Sequence, residues 1–238
     1  MEKEQPHLSF EQWVAFVFDH PLPNLGQPNW YHDVNALGDD DVWWDISAYP
    51  QTTIAYLIML FENAPVVLAP FSEAQINQGL WYLVNNSCSD HMFALLDTRV
   101  SWPERKRCLF AIFTLFERFF APRCSPHLSH LDTLESDTGH VSPLNLICYM
   151  WWDILPLYGQ PQVPGRQEID AACLEVMRLT LDLEVDACRE SALHGLGHWA
   201  HEYRQQVETT INAWLARHQE VEEELKAYAF AARRGRVL

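Results

Sequence analysis

The stretch from Glu190 to Tyr203, E-S-A-L-H-G-L-G-H-W-A-H-E-Y, brings several chemically capable side chains together at one spacing. At about 100° per residue a helix places Glu190, His194, His198 and His201 within roughly 80° of arc. Ala192, Leu196, Trp199 and Tyr203 fall opposite, so the histidine stripe lies away from the best apolar face. Imidazoles one turn apart, with a carboxylate to orient or complete the set, are a donor group for a transition-metal ion. A metal-dependent hydrolase using Glu190, His194, His198 and His201 is therefore one reading.

Two features weigh against it. Gly195, Leu196 and Gly197 stand between the first two histidines, so H-E-x-x-H is absent. Three ligands from one straight helix also converge poorly on one ion, and catalytic metals usually recruit a second element. The residues favour a polar packing face with histidines bonded to nearby backbone carbonyls, and no metal or cofactor is expected. Two glycines cost a helix about 1 kcal/mol each relative to alanine, so a neighbouring element should approach closely over that face.

The second candidate is G-D-D-D-V-W-W-D, Gly38 to Asp45. Its acids lack the glycine and glutamate spacing of a calcium loop. Asp39, Asp40, Asp41 and Asp45 with Trp43 and Trp44 instead form an anchor-plus-charge surface for a basic protein partner. The plainer alternative is a solvated acidic turn whose tryptophans point into the core. A third group, His127, His130, Asp132, Asp137 and His140, sits in an irregular stretch and reads as a polar loop without fixed geometry. No phosphate-binding glycine loop, dinucleotide fingerprint or nucleophile elbow occurs.

The elements that must carry these residues are helical. Ser9 with Gln12 and Ser72 with Gln75 have the form of capping boxes. Pro50 opens a helix over 51–62, Asp90 a short one to Leu96, Ser101 a nearly continuous apolar one to Phe119, and Ser142 with Pro143 another through Asp153. Helices over 167–181, 185–203 and 207–228, the last broken near His218, complete about nine. No strand alternation is sustained, and 20–50 and 121–141 read as long loops. Helices joined by short turns predict antiparallel hairpins stacked side by side in an irregular α-solenoid. The whole of 1–238 reads as one domain, with 1–120 as an acidic, aromatic-rich part and 142–238 as a repeat-like part. The echo of V-W-W-D-I (42–46) in M-W-W-D-I (150–154) is the only internal repeat.

Charge narrows the partners. The net charge is −16, of which residues 1–98, with thirteen acids and only Lys3 as a base, hold −12. Such a field repels nucleic acid and anionic lipid and speeds encounter with basic proteins. Six scattered cysteines without C-x-x-C read as buried hydrophobes in a reducing compartment. The start carries no secretory pattern and no apolar run has membrane-spanning length, so a cytoplasmic location is expected.

The run C-R-E-S-A-L-H-G-L-G-H-W, Cys188 to Trp199, resembles a helix of HEAT/armadillo-like repeats in uncharacterised bacterial α-solenoid proteins. The resemblance covers mainly 167–218, with P-L-N-L-I-C-Y-M-W-W-D as weaker support. It implies a HEAT-like fold used for protein contacts and carries over no catalytic residue. The expectation is thus a non-enzymatic protein-binding protein, such as an immunity or inhibitor protein that neutralises a toxic enzyme domain.

Overall fold

A computed structural model describes residues 8–24, 26–32, 49–133, 136 and 139–237. Nine α-helices and no strands occur among them: α1 Phe10–Phe18, α2 Pro50–Val67, α3 Glu73–Val84, α4 Trp102–Leu115, α5 Leu144–Ile154, α6 Gln167–Leu181, α7 Asp186–Trp199, α8 Arg204–Arg217 and α9 Glu223–Ala232. The fold is all-α, as the periodicity predicts. No helix of the described residues is long and apolar enough to cross a membrane.

The sequence signals act where they stand. In α1 the Ser9 hydroxyl accepts from the Gln12 N–H while the Gln12 side chain accepts from the Ser9 N–H, and α3 repeats this with Ser72 and Gln75. Both boxes satisfy donors that a helix start otherwise leaves orphaned. In α5 the buried residues Leu144, Ile147, Cys148, Trp151 and Trp152 follow the i, i+3, i+4, i+7 rule. Trp151 meets Phe61, Phe116 and Phe120 edge to face, which fixes α5 against α2 and the end of α4.

Some boundaries differ from expectation. α2 continues past residue 62 to Val67 because Asn63 leaves helical geometry (φ −121°, ψ 18°). That kink lets Pro65 sit near the start of a new turn, where its missing N–H costs little. The segment after Asp90 is a 3₁₀ turn, His91–Leu95, without a side-chain cap. α4 ends in a π turn, Phe116–Phe120, that buries Phe116, Phe119 and Phe120 together. Ser142 stands one residue further out than expected: its Oγ accepts from the Leu144 N–H at 3.2 Å and donates to Glu73 at 3.0 Å. The long final helix is two, α8 and α9, divided after His218.

The helices fall into two rows. α1, α3, α5, α7 and α9 pack each on the next, as do α2, α4, α6 and α8, and α6 crosses onto α7. The closest packing is thus mostly between next-but-one helices, whereas consecutive helices pack closely only from α6 onward. One apolar cluster runs through both rows from Trp13 to Ala232. α7 lies at its centre, touching α5, α6, α8 and α9.

Candidate metal centre

Central placement changes the character of the histidine helix. Glu190, Ser191 and His194 are fully buried, as are Ala192, Leu196 and Trp199 of the other face, while Tyr203 is half-buried. Half of the polar stripe, Glu190 and His194, is covered by the segment Ser129–Leu131 and by α9, while His198 and His201 are exposed. Both glycines are explained by close approach, as the sequence requires. A Cβ on Gly195 would meet Trp152 at 2.6 Å and Met177 Sδ at 2.7 Å, and one on Gly197 would meet Val237 at 2.5 Å.

The four candidates on this helix separate. His201 lies beyond the end of α7, in a turn, with its side chain 91% exposed. Glu190 turns toward 129–131, where its carboxylate accepts from the Ser129 N–H at 3.0 Å, the His130 N–H at 2.8 Å and His130 Nδ1 at 2.6 Å. Three of its roughly four acceptor sites are thereby committed, and it does not join the donor set that His194 and His198 form. The His130 segment, expected as a loop without fixed geometry, is anchored by that carboxylate.

His194 and His198 do come together, with their Nε2 atoms 3.1 Å apart. A third donor arrives from α5: Asp153 Oδ1 lies 3.3 Å from His198 Nε2. Asp153, His194 and His198 each offer one ligand atom, all within 4.8 Å of one another. Zinc–nitrogen and zinc–oxygen bonds of about 2.0–2.1 Å at tetrahedral angles set neighbouring ligand atoms about 3.3 Å apart. The two resolved edges of the site match that spacing. The second element that a single helix lacks is supplied by the α5–α7 contact.

His194 is oriented from behind. Its Nδ1 lies 2.7 Å from the Tyr228 hydroxyl on α9, which is 3.2 Å from the Tyr149 hydroxyl on α5. An ion on Nε2 requires the proton on Nδ1, where the Tyr228 oxygen accepts it; such outer partners fix the tautomer of metal-binding histidines. Tyr228 is itself held flat against the His130 ring, centroids 4.0 Å apart. The chain Glu190, His130, Tyr228, His194 thus runs from a buried carboxylate to the ligand atom.

Electrostatics keep His194 in its coordinating form. Burial, then the neighbouring His198 and His130, lowers the His194 pKa to about 3, so its ring is neutral at physiological pH. Burial raises both Tyr228 and Tyr149, so the two phenols stay protonated and serve as hydrogen-bonding partners. Without an ion, His198 Nε2 lies 3.1 Å from His194 Nε2 and 3.3 Å from Asp153 Oδ1, and it can offer at most one proton between them. His198 and Asp153 are 37% and 40% exposed, so the site is reached from solvent on that side.

Sequence reasoning missed Asp153, Tyr149, Tyr228 and the role of His130. Asp153 had a signal: it is the only acid in an otherwise apolar α5, at the end of the W-W-D echo. The predicted partner surface, Asp39, Asp40, Asp41, Trp43, Trp44 and Asp45, lies outside the described residues. Comparison with protein-family models, with curated proteins and with solved structures finds no match for this chain.

Proposed function

We propose that this protein binds a divalent transition-metal ion through Asp153, His194 and His198, and that the ion makes it a metal-dependent hydrolase. The observation that carries the reading is the convergence of two imidazole nitrogens and one carboxylate oxygen from two helices within 4.8 Å of one another, two of the three separations being 3.1 and 3.3 Å. Two nitrogens and one oxygen suit zinc, with iron and manganese as harder competitors. Three protein ligands leave a position for water, whose pKa such an ion lowers to near 7. His194 supplies the buried anchor, Tyr228 and Tyr149 its orientation, and His198 and Asp153 the solvent-facing side. Elemental analysis after chelator-free purification should find about one equivalent of zinc, iron or manganese per chain. Absence of all three, together with no uptake of zinc or cobalt in titration, would remove the reading.

A second reading has its own support. Residues 1–98 carry −12 of the net charge, and the helices stack next-but-one in two rows as in a HEAT-like α-solenoid, with the consecutive-helix pairing of such repeats present only from α6 onward. A non-enzymatic protein-binding role toward a basic partner, of the immunity or inhibitor kind, fits both. Neutralising Asp39, Asp40, Asp41 and Asp45 together should then slow association with that partner and flatten its salt dependence. Unchanged association kinetics in the fourfold variant would rule out this choice of surface.

A further inference from the structure

Beside the candidate centre is a cavity whose charge is opposite to that of the chain as a whole. It measures about 260 Å³ and is lined by His198, His201, Arg204, Arg233 and Arg234, among others. The protein has 32 acids against 16 lysines and arginines, yet three of those arginines line this one cavity and, among the described residues, no Asp or Glu does.

Little of that positive charge is neutralised locally. Arg204 pairs with Glu208 at 3.0 Å, in a contact that leaves its side chain 78% exposed. Arg233 donates to the neutral Asn212 side chain at 2.6 Å and lies over the Phe230 ring. Arg234 is exposed, and no ion pair of its guanidinium occurs among the described residues. Three fixed cations with one carboxylate between them are an arrangement that waits for an anion. Gly197 helps to keep the site open: having no side chain, it lets Val237 pack directly on α7, which brings Arg234 and the last turn of α7 to the same cavity. The N-terminal end of α8, at Arg204, adds its partial positive charge.

We infer that this cavity is an anion subsite for the phosphate group of a small phosphorylated ligand. The inference rests in part on the metal reading, because His198 belongs both to the ion-binding set and to the cavity wall. Phosphate is favoured over carboxylate by charge and shape: guanidinium forks pair bidentately with its oxygens, and three of them exceed what one carboxylate can use. A ligand seated here would place its phosphate against His198, the residue that the cavity shares with the ion-binding set. The substrate class implied for the centre is therefore small phosphate-bearing molecules.

The test separates the subsite from the ion. Inorganic phosphate is titrated calorimetrically into chelator-treated full-length protein, into D153N, into R234Q and into K106Q, a remote exposed control. Arg234 and Lys106 are both exposed, so neither substitution threatens the fold. Saturable binding should appear in wild type, persist in D153N and K106Q, and weaken about tenfold in R234Q, the loss expected for a hydrogen bond to a charged group. Equal affinity in R234Q and K106Q, or no saturation in wild type, would overturn the subsite. Acetate binding as tightly as phosphate would overturn the phosphate assignment. Metal content measured separately on wild type reports on the ion alone, so persistence of phosphate binding in a protein that never takes up metal would leave the subsite standing and remove the centre.

Discussion

The carboxylate of Glu190 and the imidazole of His130 meet at 2.6 Å across sixty residues of sequence, with the carboxylate fully buried. The same carboxylate holds two backbone N–H groups of that segment. Replacing Glu190 with alanine strands three donors at once, two of them on the main chain. Unmade buried hydrogen bonds of this kind cost about 1–3 kcal/mol each, so E190A should lose about 3 kcal/mol or more in urea unfolding. E190Q keeps one acceptor oxygen and should lose roughly half as much. An unchanged midpoint in E190A would show that Glu190 does not anchor 129–131.

The histidines of the original stripe should behave differently. H198A removes a ligand from the set and should abolish zinc or cobalt uptake, while H201A, at a side chain 91% exposed and outside α7, should leave it intact. Equal effects of the two substitutions on metal titration would contradict the assignment of Asp153, His194 and His198.

Two glycines two residues apart and alike in helix propensity should give different results. Alanine gains about 1 kcal/mol of propensity at either position. At Gly195 the added Cβ would collide with Trp152 and Met177, both buried, and overpacking there costs about 1–3 kcal/mol or more. G195A should therefore be net destabilising. At Gly197 the obstacle is the end of the Val237 side chain, half-buried at the edge of the fold, which can shift. G197A should be near neutral by thermal unfolding, and a loss equal to that of G195A would refute this account.

Part of the acid sensitivity, to which His194 contributes in the same sense, should follow His91. Trp13 Nε1–H donates to its Nε2 at 3.0 Å, and its Nδ1 lies 3.0 Å from Ser89 Oγ, with the Tyr82 ring against it. Burial lowers its pKa to about 3 from an ordinary value of 6.5. The unfolded chain thus binds a proton that the folded one refuses between those values. The contribution is whole above pH 6.5 and is lost as pH falls, by about 1.4 kcal/mol per pH unit. Urea midpoints at pH 7 and pH 5 should converge in H91Q relative to wild type; parallel declines would exclude His91 as the source.

Local signals were legible in the sequence where their partners are local. The Ser9–Gln12 and Ser72–Gln75 boxes lie three residues apart and need nothing from the rest of the chain. The 3.6-residue period likewise put His194 and His198 side by side. What it does not reveal is which element covers a helical face. Glu190 shares the stripe but is turned to 129–131, and the Asp153 that completes the set arrives through the packing of α5 on α7. His130 and Tyr228 were hidden for the same reason: their roles arise from a ring stacking 4.0 Å apart, between segments far apart in sequence. The polar face of the helix at 185–203 reads as bonded to nearby backbone carbonyls, whereas Glu190 is bonded to 129–131, His194 to Tyr228 and His198, and His201 stays exposed.

His194 is buried, while Asp153 and His198 open to solvent. An ion held this way has one wall behind it and a free path in front, so it could leave without any helix moving. Its occupancy would then track the free ion concentration from moment to moment, and the protein would equilibrate with the surrounding ion pool instead of trapping metal for its lifetime.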